Sequence, residues 1–325
     1  MISRIVMLVL VTALLGACPE GLSIPALSPV VAIPGGNFTM GASTQECVDE
    51  DDNARCDPSS TAERPVFLTP FNIDRHEVTN AQYRYCVAQG SCDEPAATGL
   101  SEVPDYYTSS RYDRHPVIFV TWLNAKQYCE FVGRRLPTEA EWEFVARTEQ
   151  GGDSLSQRNF PWAWKNQEER VPTCEHARLD VCKEKFPGPV ESVERDLSDW
   201  EVYDLGGNVA EWVEDLFFVY TYCRDERSLY ELCDKDTTCI QTECFSSGTD
   251  PKPDCVLHCD DQAPFCLQQV ERLTDPKARR GGPDHSMRGG AFTDLRCKAL
   301  SSFRRHAAED AARAWVGFRC AGGRK

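Results

Sequence analysis

The sequence predicts an α+β fold of low regular content, held together by many disulfides. Three observations carry this. Three short stretches open with helix start signals, two of them capping boxes. The strand candidates are brief and separated by turn residues. The 325 residues include 17 cysteines. With 41% hydrophobic residues the chain can bury a sizeable core.

The elements follow in chain order. Ile33-Pro-Gly-Gly-Asn-Phe-Thr-Met40 reads as a hairpin, with apolar alternation at Phe38 and Met40 after a Gly-Gly turn. Val66 to Ile73 reads as a short strand. Thr79-Asn80-Ala81-Gln82 is a capping box, in which the Thr79 hydroxyl and the Gln82 side chain satisfy each other's backbone N–H. That helix runs to about Gln89 and stops at Gly90. Val117 to Val120 is a strand candidate, and a second helix opens after Thr121 and ends at Gly133. A third follows Pro137, capped by Thr138 and Glu141, with Trp142, Val145 and Ala146 on its apolar face. Met287–Phe292 and Val316–Ala321 are further strand candidates. Before them, residues 222–283 carry Cys223, Cys233, Cys239, Cys244, Cys255, Cys259 and Cys266, many charges and little periodicity. Such a segment depends on disulfides and reads as an insertion into one domain.

The N-terminus carries an export pattern. Arg4 is a basic n-region, Ile5 to Leu15 an apolar stretch, and Leu15-Gly16-Ala17-Cys18 a lipobox. This predicts a bacterial lipoprotein signal peptide over 1–17, lipidation at Cys18, a tether over 18–30 and a place in the cell envelope. Pro19, where an inner-membrane retention signal would have Asp, points to the outer membrane. No later stretch is long and apolar enough to span a bilayer. Setting Cys18 aside leaves 17 − 1 = 16 cysteines, an even number that favours disulfides in an oxidising compartment. Cys255-x3-Cys259 beside His258 has a zinc-like spacing that no second pair repeats. The net charge of −16 and a pI near 4.9 argue against nucleic-acid partners.

A motif series then gives a resemblance. Ile33-Pro-Gly-Gly-x-Phe-x-Met-Gly41, Glu77-Val-Thr-Asn80, Arg135-Leu-Pro-Thr-Glu-Ala-Glu-Trp-Glu143, Tyr203-Asp-Leu-Gly-Gly-Asn-Val-Ala-Glu-Trp212, Arg288-Gly-Gly290 and Gly317-Phe-Arg319 occur in order. Together they resemble the formylglycine-generating-enzyme, or sulfatase-modifying-factor, family. The resemblance implies a C-type-lectin-like domain over 31–325, interrupted by the Cys-rich insertion at about 222–283. The family includes copper-dependent oxidases and non-catalytic envelope lipoproteins, so the fold alone does not decide function.

The resemblance also implies site residues. The oxidases hold Cu(I) with two thiolates, which fall here at Asp294 and Ala299; Cys297 lies between them and is the alternative ligand. With the seven insertion cysteines, Cys297 makes eight, which favours a disulfide. The family's calcium ligands map to Asp204, the carbonyls of Gly207 and Val209, and Glu211. A second family calcium loop falls at Ala177-Arg178-Leu179, where Arg178 opposes a cation. A family bridge maps to Cys129–Cys320, and a neighbouring one is lost as a unit at Ala146 and Arg304. Cys47–Cys56, Cys86–Cys92 and Cys174–Cys182 are plausible local pairs. His76, His115, His176, His258, His285 and His306 are scattered without ligand spacing, Ser301 and Ser302 have no local base, and Trp162 and Trp164 suit core or groove lining. The favoured reading is a lipid-anchored, non-catalytic module binding a peptide, protein or glycan. The alternative is a copper-dependent formylglycine-generating oxidoreductase.

Overall fold

The structure is a computed structural model. It describes residues 25–41, 63–151, 158–162, 172–217 and 284–323, and the backbone of 273–274. Cys18, the signal peptide, Cys47, Cys56, Trp164, His258 and the insertion cysteines lie outside the described residues.

The N-terminal part is one long antiparallel ribbon. Strands β1 (Val30–Ile33) and β2 (Gly36–Met40) pair with β4 (Phe71–Asp74) and β3 (Arg64–Leu68) respectively. The register is the same in both halves, Val30 opposite Asp74 and Met40 opposite Arg64. The ladder breaks where Pro34-Gly35 faces Thr69-Pro70, because neither proline has an N–H to donate. This corrects the hairpin expected within Ile33–Met40: β1 and β2 do not pair with each other. Gly35, at φ +71°, turns the chain from one sheet to the next, and a Cβ there would lie 2.1 Å from the Leu68 carbonyl oxygen.

Three helices follow. Thr79 and Gln82 form the capping box of α1 (Asn80–Ala88), and Thr138 and Glu141 that of α3 (Glu139–Arg147). In α2 (Trp122–Phe131), Asn124 returns the bond to the Thr121 backbone. Val117, Ile118 and Val120 are buried, but Val117–Val120 forms no strand, a second correction. Phe119 sits at φ +58°, which breaks extended backbone, and only the neighbouring Pro116 makes a bridge, to Thr79.

The C-terminal half supplies β5 (Ala210–Leu216), β6 (Leu273–Thr274), β7 (Asp284–Arg288), β8 (Arg304–Ala308), β9 (Val316–Gly317) and β10 (Ala321–Gly322). The sheets run β1-β4-β10, β2-β3-β6 and β8-β7-β5-β9. The backbone of β6, at the far end of the insertion, thus pairs with β3. One core cluster joins the ribbon to α3 through Phe38, Ile73, Phe144 and Val213; another joins α1 and α2 to Trp212, Met287 and Phe318.

All nine residues of α3 are buried, its charges included. Glu139 receives Nε of Arg304 at 2.6 Å, Glu141 is gripped by both terminal nitrogens of Arg135 at 2.7 Å, and Glu143 pairs with Arg147 and Arg288. Buried charges persist when paired this way, and removing one partner costs about 3–5 kcal/mol. Disulfides join Cys86 to Cys92, Cys129 to Cys320 and Cys174 to Cys182, with Cα separations of 5.4, 5.6 and 5.4 Å.

Candidate functional site

The Tyr203–Trp212 segment crosses the centre of the molecule and gathers buried carboxylates. Asp204 and Asn208 adopt positive φ, +60° and +68°, which bends the segment tightly around Leu205-Gly206-Gly207. The bend leaves no room for side chains: a Cβ on Gly206 would lie 2.3 Å from the Trp162 ring, and one on Gly207 2.6 Å from the Arg178 carbonyl oxygen. Asp204 Oδ2 accepts the Glu191 N–H at 2.7 Å, and Asp196 Oδ1 accepts that of Gly206 at 2.9 Å. Glu77 accepts the Asn208 side-chain amide at 3.0 Å and the Val209 N–H at 3.4 Å. Glu211 is held at both oxygens by Arg319, 2.6 and 2.7 Å, and by the Trp142 indole N–H at 3.0 Å.

Four buried carboxylates thus share one buried guanidinium. Burial first, and then Asp204 and Glu211, pushes Glu77 well above the usual carboxylate range. Burial and then Asp204 does the same to Asp196. Asp204 is raised to about 7, chiefly by burial, against the pull of the Glu191 N–H and Arg319. Asp196 Oδ2 is buried with no hydrogen-bond partner. Among the described residues, no three His, Cys, Asp or Glu side chains are arranged to hold a metal by themselves. The set expected from the resemblance mixes side-chain and main-chain oxygens. No described hydrogen bond ends on the carbonyls of Gly207 or Val209, which lie in the same segment as Asp204 and Glu211. Hard oxygens on a Gly-rich turn suit calcium, and a divalent ion would offset the excess buried negative charge. Arg178 lies against Gly188, donates to the Phe186 carbonyl at 3.4 Å and reaches Glu184 at 3.7 Å.

The segment after Arg288-Gly-Gly290 forms the second constellation. Asp294 is buried and paired with Arg305 and with Lys298, the latter at 3.6 Å. Arg305 is itself stacked between Phe303 and Trp315, 5.2 and 4.9 Å from the ring centres. Ala299 is fully buried with Trp162, Ala177 and Leu179. Cys297 is half-buried on the 3-10 turn Arg296–Ala299. A carboxylate committed to a guanidinium and a methyl group are not a Cu(I) donor set, which requires soft sulfur.

The other candidates have structural partners. Ser301 Oγ donates to the Ala146 carbonyl at 3.1 Å, and Arg288 binds the Ser301 and Ser302 carbonyls. Trp162 stacks on Phe160 at 5.2 Å. The described histidines do not converge: His285 stacks on Trp122, His306 pairs with Asp284, and His176 meets Thr173. Sequence reasoning missed Asp196 and Glu77 as members of the carboxylate group. Asp196 stands in a polar turn-rich stretch where nothing local signals burial, while Glu77 is visible only as part of a helix-start motif.

Residues 23–323 match the sulfatase-modifying factor enzyme 1-like domain. Among curated proteins the chain is similar to the formylglycine-generating enzyme of Thermomonospora curvata, 33% identical over 245 residues, covering 59% of this chain and 75% of that one. It is also similar to the inactive C-alpha-formylglycine-generating enzyme 2 of Mus musculus, 30% identical over 227 residues, covering 58% and 68%. Among solved structures, PvdO from Pseudomonas aeruginosa aligns with a TM-score of 0.54 at 22% identity, over 90% of this chain and 93% of that one, a likeness of fold.

Proposed function

Because this chain belongs to the sulfatase-modifying factor enzyme 1-like family, we propose that it is a non-catalytic member, tethered to the bacterial envelope through a lipidated Cys18, that binds a peptide, protein or glycan. One observation carries the reading: where the family's oxidases place two copper-binding thiolates, this chain has Asp294 in an ion pair with Arg305, and Ala299. Oxygen activation on Cu(I) has no ligand set there. The similarity to an inactive mouse member is compatible with this. The lipobox supports the anchor and the envelope location.

Calcium belongs to the same proposal. Asp204, the Gly207 and Val209 carbonyls and Glu211 would hold it, with Asp196 beside them. Its part would be to neutralise the buried carboxylates and fix the Tyr203–Trp212 bend, and so the adjoining surface.

The competing reading, a copper-dependent formylglycine-generating oxidoreductase, draws on the identity with the Thermomonospora enzyme. The two are separated by titrating the oxidised, folded protein with Cu(I) against a colorimetric chelator. The non-catalytic reading predicts that the chelator keeps the ion. Stoichiometric transfer to the protein, lost in Cys297→Ser, would overturn it.

A further inference from the structure

The three described disulfides differ in access. Cys129 and Cys320 are both 0% exposed, Cys86 is 0% and Cys92 8%. In the third bridge Cys182 is 5% exposed, but Cys174 is open to solvent. The loop between them is a run of tight turns. The His176 and Ala177 amides donate to the Thr173 carbonyl, and the Cys182 amide to that of Leu179. One loop amide points at sulfur: Leu179 N lies 3.4 Å from Cys182 Sγ. The Ala177 carbonyl is 3.6 Å from the same sulfur.

Thiol–disulfide exchange needs one sulfur that an incoming thiolate can reach and another that leaves readily as thiolate. A donor aimed at the leaving sulfur lowers its basicity and speeds departure. Here the two requirements fall on different sulfurs of one bridge. We propose that Cys174–Cys182 is a thiol–disulfide exchange site, with an external thiolate attacking Cys174 and Cys182 as the leaving group. In the first step an S–S bond forms between the incoming sulfur and Cys174 Sγ. The Cys174–Cys182 bond breaks, and its electron pair stays on Cys182 Sγ, where the Leu179 N–H stabilises the thiolate. The oxidation level is unchanged overall. After taking a proton from water, the Cys182 S–H has the Ala177 carbonyl as acceptor. If the incoming group is a dithiol, its second thiol displaces Cys174. The dithiol then becomes a disulfide and supplies the two electrons that reduce the pair.

The position gives the exchange a reach into the rest of the molecule. The Arg178 carbonyl, inside the loop, accepts the Asn208 N–H at 3.0 Å beside the carboxylate group. The Asp180 N–H donates to the Asp294 carbonyl, also at 3.0 Å. Opening the bridge removes the covalent closure from the turn that makes both contacts.

The test uses the folded wild-type protein without denaturant. It is exposed to dithiothreitol, trapped with a maleimide at intervals, and mapped by peptide mass. Cys174 and Cys182 should be alkylated at least about tenfold faster than Cys86 with Cys92, or Cys129 with Cys320. With glutathione in place of dithiothreitol, the mixed disulfide should form on Cys174. Opening of the three bridges at one common rate, or a glutathione adduct on Cys182 instead, would overturn the proposal.

Discussion

Arg319 holds the centre of the molecule through a single side chain. It grips Glu211 with two hydrogen bonds and also donates to the carbonyls of Asp74, Arg75 and Tyr203. Arg319→Met leaves Glu211 charged and buried, and is expected to cost about 3–5 kcal/mol in a denaturant titration. Because most of that cost is the stranded carboxylate, Arg319→Met with Glu211→Leu should be less destabilised than Arg319→Met alone. A double variant as unstable as the sum of the singles would contradict this. His115 acts with pH. It packs among Tyr106, Tyr112 and Phe186, and burial, followed by Arg178 and Arg111, lowers it to about 4 from 6.5. Below pH 6.5 the unfolded chain takes this proton before the folded one does. The stability His115 permits is therefore full above 6.5 and lost progressively toward pH 4. Opposite trends from the raised carboxylates overlap, so the check is a difference. Between pH 7 and pH 4, His115→Gln should lose about 2–3 kcal/mol less than wild type.

At the level of elements, local chemistry was legible and long-range pairing was not. The three helix starts at Thr79, Thr121 and Thr138 are visible because a cap is made between residues three apart. Thr138→Ala should therefore cost about 1 kcal/mol, measured as a shift in the unfolding midpoint, with the fold unchanged. The ribbon was misplaced because Pro34-Gly35-Gly36 looks like a hairpin turn, whereas the true partners, 30–40 and 64–74, are set by contacts across the intervening chain. The apolar face of α3 was legible in Trp142, Val145 and Ala146. Burial of Glu139, Glu141 and Glu143 was not, because their partners Arg304, Arg135 and Arg288 come partly from strands more than a hundred residues away. In the site, the Gly206-Gly207 bend was legible as a motif, but Asp196 and its unpartnered oxygen emerged only with the fold.

For the whole molecule, the excess of buried negative charge and the missing thiolates make two separate claims. An ion that binds only the folded state raises its stability by RT ln(1 + [L]/Kd), about 2.7 kcal/mol at a hundredfold excess over Kd. Chelator should therefore lower the melting temperature of wild type, and Asp204→Ala with Glu211→Ala should abolish that sensitivity. A wild type indifferent to chelator would rule out calcium at this bend. The proposed loss of oxidase chemistry rests on Asp294 and Ala299, which stand where the family's oxidases have two sulfurs. The most direct measurement is to incubate the protein, in buffer supplied with copper, with a sulfatase-motif peptide under oxygen and follow the peptide thiol by mass. The peptide should gain no aldehyde; conversion of its thiol to the aldehyde, lost in Cys297→Ser, would contradict the non-catalytic reading.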